Sequence, residues 1–220
     1  MKTTKAQTIR KPRPTPTPRT RGDARRRLLT AAIRRIRQRG YANTSVDELC
    51  ADAGVTKGAF FHHFSSKEAL AIAAAEDFQS SAMDLFDRAP HRKLDDPVQR
   101  LLAYVLQRRK LLRGELPEFT CLLGTLVQET YATHPAIRET CNKALFEHID
   151  WLESDVRAAL ARLRTRPRWS AKSLAIHIVS VLQGAFILAK AQSGTSAAIA
   201  SVDHLHRYLE TIFVSARSRK

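Results

Sequence analysis

A chain of 220 residues that is 44% apolar can bury a sizeable core in one or two domains, and its net charge of +16 points to a polyanionic partner. Three cysteines, Cys50, Cys121 and Cys141, odd in number and without a C-x-x-C spacing, argue against a disulfide framework and against a zinc knuckle. The first 22 residues hold no secretory h-region, and the longest near-apolar run, 174–189, is short for a bilayer and broken by His177, Ser180 and Gln183. The expectation is a soluble cytoplasmic protein.

The charge is unevenly spread. Residues 1–64 carry 15 Lys+Arg against 4 Asp+Glu, giving +11, while residues 65–220 carry 22 against 17, giving +5. A basic N-terminal third on a milder remainder fits a nucleic-acid-binding module attached to something else. An anionic membrane is the competing partner, but a membrane-surface helix wants exposed aromatics on its apolar face, and the aromatics here fit a domain core.

Residues 1–21 alternate basic residues with Pro12, Pro14, Pro16 and Pro18 and contain no acid, which predicts a disordered or polyproline-like arm. It reads either as a solubilising tail or as an arm adding phosphate or minor-groove contacts. A helix is predicted over 23–39, with Leu29, Ile33 and Ile36 on one stripe, Asp23 at its start and Gly40 ending it. Seven arginines surround that stripe, mostly as a solvated face.

The stretch 44–70 is the most informative. Thr44 and Ser45 precede Asp47 and Glu48 at capping-box spacing, so a helix starts there, buries Val46, Leu49, Cys50 and Ala53, and ends at Gly54. Thr56 caps a second helix, 57–64, which buries Phe60 and Phe64 and turns Lys57, Gly58, Ala59, Phe61 and His62 outward. Ser65, Ser66, Lys67 and Glu68 then read as another capping box, placing Lys67 in the first turn of a third helix, within reach of phosphate. Two helices joined by so tight a turn form a helix-turn-helix, whose second helix enters the major groove. Small Gly58 and Ala59 allow close approach to base edges, and Ala59 can touch a thymine methyl. The candidate DNA-contacting set is Thr44, Ser45, Thr56, Lys57, Gly58, Ala59, Phe61, His62, His63 and Lys67.

These residues resemble the DNA-binding domain of TetR-type transcriptional regulators: Gly40-Tyr41, Thr44-Ser45-Val46, Ala53-Gly54-Val55, Lys57-Gly58, Phe60-Phe61, His63-Phe64 and Lys67-Glu68 with Leu70, in this order and spacing. The resemblance implies a dimeric, all-helical DNA binder with a ligand-sensing C-terminal domain. It also implies a repressor released by a small molecule. Two positions depart from the pattern: Phe61 stands where Tyr is common, and Arg37 where an aromatic is common.

Downstream, helices are predicted over 66–87, linking the domains, and over 97–113, separated by a loop at 89–97. A helix over 118–131 resembles a subgroup of the same regulators with Cys-x-x-Gly-x-Leu-x-x-Glu, here Cys121, Gly124, Leu126 and Glu129; Cys121 reads as an inert core residue or as a reactive thiol. The longest amphipathic helix, 135–163, carries His148 on its apolar stripe, either as a hydrogen-bonded core residue or as a polar contact in a ligand pocket. Helix 170–193 has two apolar rows and, with a last helix carrying Leu205, Leu209 and Ile212, is expected to pair with its copy in a four-helix bundle.

The whole is read as all-α with about nine helices: a basic arm (1–21), a three-helix helix-turn-helix domain (22–66), a helical ligand-binding and dimerisation bundle (67–216) and a short tail (217–220). The expected pocket residues are Leu106, Cys121, Thr125, Cys141, Leu145, His148 and His177. The expected dimer face is Leu174, Ile178, Val181, Gly184, Ala185, Leu188, Leu205, Leu209 and Ile212. The expected partners are a palindromic double-stranded operator, a small-molecule or electrophilic inducer and a second copy of the chain, with no cofactor, metal or membrane. A sequence-independent DNA-coating protein is the alternative; an enzyme is disfavoured because the histidines and acids fall at no defensible acid/base or metal spacing.

Overall fold

Side-chain caps and left-handed breaks cut the chain into helices. In a computed structural model describing residues 21–163 and 167–213, these are α1 (Arg21–Arg39), α2 (Val46–Ala53), α3 (Lys57–His63), α4 (Lys67–Asp87), α5 (Pro97–Leu111), α6 (Leu116–Phe119), α7 (Leu122–Thr130), α8 (Pro135–Leu160), α9 (Ala171–Ala191) and α10 (Ser196–Phe213). A 3-10 turn, Pro90–Lys93, lies between α4 and α5. Among the described residues there is no strand, and the all-α expectation holds; the basic arm and the C-terminal tail lie outside them, apart from the start of α1.

The expected single helix over 118–131 is two. Pro117 sits in the first turn of the four-residue α6, Thr120 and Cys121 adopt extended backbone, and the Cys121 sulfur accepts the Gly124 amide at 3.5 Å to start α7. Helix α4 is capped by Ser66, which accepts the Ala69 amide at 3.0 Å, rather than by a Ser65–Glu68 box.

Two apolar clusters hold these helices. One lies mainly among α5, α8, α9 and α10, with Leu101, Leu152, Val156, Ile178, Leu182, Leu205 and Leu209 buried, and takes in Phe86 of α4 and Phe119 of α6. The other joins Leu28, Ile36, Leu49, Phe60 and Leu70 of the helix-turn-helix region to Leu122 and Leu126 of α7 and to Ile137 and Cys141 of α8. The first core is pinned at one side by buried Asp155, which accepts Arg100 Nε at 2.9 Å and pairs with Arg92.

The second core is closed by a joint at the end of α1. Gly40 stands at φ 86°, and a Cβ added there would collide with the Glu129 carboxylate; the same carboxylate accepts the Ala42 amide at 3.0 Å. Gly40→Ala is therefore expected to destabilise the protein by about 1–2 kcal/mol, through the left-handed backbone and the displaced carboxylate together. Urea unfolding of the two proteins checks it, and an unchanged midpoint would show that this joint carries no strain.

Candidate functional site

The DNA-reading end is built from local caps fixed by arginines of α1. Ser45 accepts the Glu48 amide at 3.2 Å and Glu48 accepts the Ser45 amide at 2.9 Å, which starts α2; Gly54 at φ 59° ends it. Thr56 accepts the Ala59 amide at 3.1 Å and starts α3 at once. Arg27 clamps the intervening turn by donating to the carbonyls of Ala53 and Gly54, and Arg35 ties α1 to α2 through Asp52 at 2.6 Å and Glu48 at 2.8 Å. The hydrogen bond to Arg35 holds the Asp52 carboxyl below its ordinary pKa. The composition alone did not single out these two arginines within the charged face.

Helix α3 presents an open outer face. Phe60 is buried, Phe61 is 53% exposed and stands edge-on to it, and a Cβ at Gly58 would meet only the Thr56 hydroxyl at 3.8 Å. No internal packing requires a glycine at 58. Lys57 is exposed and paired with Asp47 at 2.8 Å, and its pKa is raised by that contact. His62 is exposed and His63 half-buried, with their rings 5.0 Å apart.

Two expected DNA contacts are turned inward. Thr44 is buried and donates its hydroxyl to the Gly40 carbonyl at 2.7 Å. Lys67 donates to the carbonyls of Tyr41 and Thr44 at 3.1 and 3.0 Å and lies over the Tyr41 ring, and partial burial lowers its pKa. An ammonium with two carbonyl acceptors holds the 41–44 turn and keeps one of its three N–H donors for a further partner.

Behind this end lies a cavity of about 260 Å³ bounded by α4, α5, α8, α9, the α6–α7 break and the last turn of α1. Cys121, Leu145 and His148 line it, as expected. Four other expected residues do not. Leu106 is 41% exposed on the outside of α5; Thr125 accepts Lys190 Nζ at 2.6 Å in an adjoining cleft; His177 meets Tyr208 edge-on on the outside of α9. Cys141 is buried in the second core, where desolvation pushes its thiol up to about 12. Sequence periodicity placed Leu106 and Cys141 on apolar stripes but could not say which stripe borders an empty space. Arg37 and Arg108, which do line the cavity, were not anticipated as pocket residues.

His148 is both a core and a pocket residue. Burial depresses its pKa to about 3, so the ring is neutral; Met83 Sδ, 3.5 Å from Nδ1, can only accept, which assigns the proton to Nδ1 and makes Nε2 the acceptor from the Tyr104 hydroxyl at 2.8 Å. Trp151 stacks on the ring and donates its indole N–H to Asp87 at 2.8 Å.

The expected dimer face also divides. Leu174, Ile178, Ala185, Leu205 and Leu209 are buried within this single chain, and Ile212 packs partly against the same core. The reason is angular: the two apolar rows of α9 together form one broad core face, so Val181 and Leu188 lie at its border. The outer stripe of α9 consists of Ile176, His177, Ser180, Gly184, Ile187 and Leu188. Helix α9 is long and apolar enough to cross a membrane, but 44% of that stretch is buried within the fold, as in the core helix of a bundle.

Residues 28–74 match the family model of bacterial regulatory proteins of the tetR family, and residues 97–201 match that of the C-terminal domain of LmrA/YxaF-like transcriptional regulators. The chain belongs to the TetR family. As a TetR-family protein it is a DNA-binding transcriptional regulator, not an enzyme. Among curated relatives it is 26% identical to the transcriptional regulator LmrA of Bacillus subtilis, over 62% of this chain and 72% of that one, and 33% identical to the repressor NemR of Escherichia coli, over 40% and 44%. Curated relatives are matched over only part of their length, as little as 22% for YerO of Bacillus subtilis. A TetR-family structure from Chloroflexus aurantiacus superposes with a TM-score of 0.75 at 25% identity, covering 86% of this chain and 95% of that one.

A neutral buried histidine has a pH signature. Its folded pKa of about 3 lies below the ordinary 6.5, so as pH falls below 6.5 the unfolded chain takes up a proton that the folded one refuses, and stability drops. Between pH 7.5 and about 5 the wild type should lose more stability than His148→Phe does. Urea unfolding at both pH values checks it; parallel losses would mean that the ring charges freely in the fold.

Proposed function

We propose that the protein is a homodimeric repressor that binds a palindromic operator and is released by a small molecule entering the cavity. The observation that carries the reading is the cavity's position: the same space is bounded by α4, which begins directly behind the DNA-reading α3, and by Arg37 at the end of α1. An occupant that favours one setting of α4 changes the separation of two α3 helices in a dimer, and two half-sites tolerate little mis-spacing. Coupling of this kind is reciprocal, so operator DNA weakens inducer binding by the same factor. The outer stripe of α9, with Tyr208 of α10 beside it, is the face we assign to the second copy; its partly apolar exposure supports this. A cytoplasmic protein with its basic arm adding phosphate contacts completes the reading.

A second reading of the inducer has its own support. Cys121 is half-buried, lines the cavity and stands at the N-terminus of α7 with an amide directed at its sulfur, so an electrophile that enters the cavity meets this thiol.

Footprinting on the DNA flanking the protein's own gene should give one discrete palindromic site, and Lys57→Ala should weaken it and reduce the slope of log affinity against log salt by about 1. Protection without boundaries would favour a sequence-independent coating protein instead. With N-ethylmaleimide, mass spectrometry is expected to find Cys121 alkylated first and Cys141 last, with release from DNA abolished in Cys121→Ser. Equal labelling of the two, or release that survives the substitution, would remove the electrophile reading.

A further inference from the structure

Arg37 is the feature of the cavity that the packing of the fold does not explain. It extends from the last turn of α1 into the cavity wall, with its guanidinium 5.3 Å from the centre of the Phe78 ring and its Nε buried without a hydrogen-bond partner. Among the described residues neither Arg37 nor Arg108 makes an ion pair or hydrogen bond; Arg108 lies between the rings of Phe86 at 4.9 Å and Phe186 at 5.7 Å. Glu118 is the carboxylate lining the same space, and its Oε2 accepts the Glu115 amide at 3.0 Å. With His148 neutral, the cavity holds two fixed positive charges against one negative.

Burial lowers the pKa of Arg37 to about 10, so it remains charged at neutral pH; the Glu118 charge offsets part of the desolvation, but the buried Nε keeps no hydrogen-bond acceptor. A buried donor without an acceptor is costly, and a guanidinium is shaped to take a carboxylate with two parallel N–H···O bonds. The rest of the wall, with Phe78, Phe86, Phe186 and Leu145, suits an apolar body and offers little to a polyol. Two guanidinium groups also disfavour a cation.

We propose that the cavity takes an organic monoanion, an apolar alkyl or aryl body ending in a carboxylate, and that the carboxylate docks on Arg37. This rests on the ligand-response reading above and deepens it. Because Arg37 belongs to α1, the ligand grips the same helix whose Arg27 clamps the α2–α3 turn and whose Arg35 holds α2. The signal then reaches the DNA-reading end directly as well as through α4.

The test uses the full-length protein and a panel of carboxylates, including octanoate and 4-phenylbutyrate, each beside its own primary amide, with binding by calorimetry and release of the footprinted DNA fragment as readouts. At least one carboxylate is expected to bind about tenfold or more tightly than its amide. Arg37→Met should bring the two within about threefold of each other, while Arg37→Lys retains part of the preference; melting curves show that both variants are folded. Amides binding as tightly as carboxylates, or a preference that survives Arg37→Met, would overturn the inference. Neutral compounds that bind and release DNA while every carboxylate is inert would overturn it and leave the ligand-response reading standing. Silence from every compound, charged or neutral, would remove both.

Discussion

The core of the DNA-reading end is continuous with the core beneath α7 and α8. Leu28, Leu49, Phe60 and Leu70 belong to the same buried cluster as Leu122 and Leu126 of α7 and Ile137 and Cys141 of α8, joined through α1 and α4, so one apolar cluster spans both halves of the chain. Each such leucine contributes on the order of 2 kcal/mol of burial, which makes separation of the two halves expensive and rigid transmission between them cheap. Any shift of α7 or α8 must move the residues under α1 or open a gap, and close-packed interiors resist gaps. The Glu129 joint sets the register of this contact, since its carboxylate both holds the Ala42 amide and occupies the space a side chain at 40 would need.

The Cys-x-x-Gly-x-Leu-x-x-Glu pattern acquires a physical account at each position. Cys121 caps α7, and Leu126 is buried in the shared core. Gly124 lets Gln183 of α9 approach so closely that a Cβ would strike its amide oxygen, and Glu129 makes the joint. The four positions, spaced along little more than two turns, therefore fasten one short helix to α9 on one side and to α1 on the other. None of this requires a reactive thiol, and none of it prevents one.

What could be read from the sequence was local. Ser45, Gly54 and Thr56 act through neighbours two to five residues away, and the structure has each of them where the spacing indicated. What could not be read was long-range. Lys67 and Thr44 have the residue types of phosphate ligands, but their acceptors lie in the Gly40 to Thr44 turn. Leu174, Ile178 and Ala185 of α9 were assigned to the dimer face because a row of apolar residues tells that a face is buried, not whether the burying surface is in the same chain. The break before Cys121 was hidden because a helix-compatible composition continues through Thr120 while the backbone turns extended.

The arginines of α1 show how little a charge count says about where charge is available. Arg27 is occupied in clamping the α2–α3 turn and Arg35 in holding α2, Arg37 lines the cavity, and Arg25 lies over the Phe64 ring. Arg26, Arg34 and Arg39 make exposed pairs with Asp23, Glu115 and Glu48, which are weak enough for a phosphate to displace. A surplus of +11 in residues 1–64 thus overstates the free positive charge of the folded head. Part of the basic character serves structure, and in Arg37 it stands partly buried in the cavity wall, where the orphaned Nε is a cost that an incoming anion would relieve.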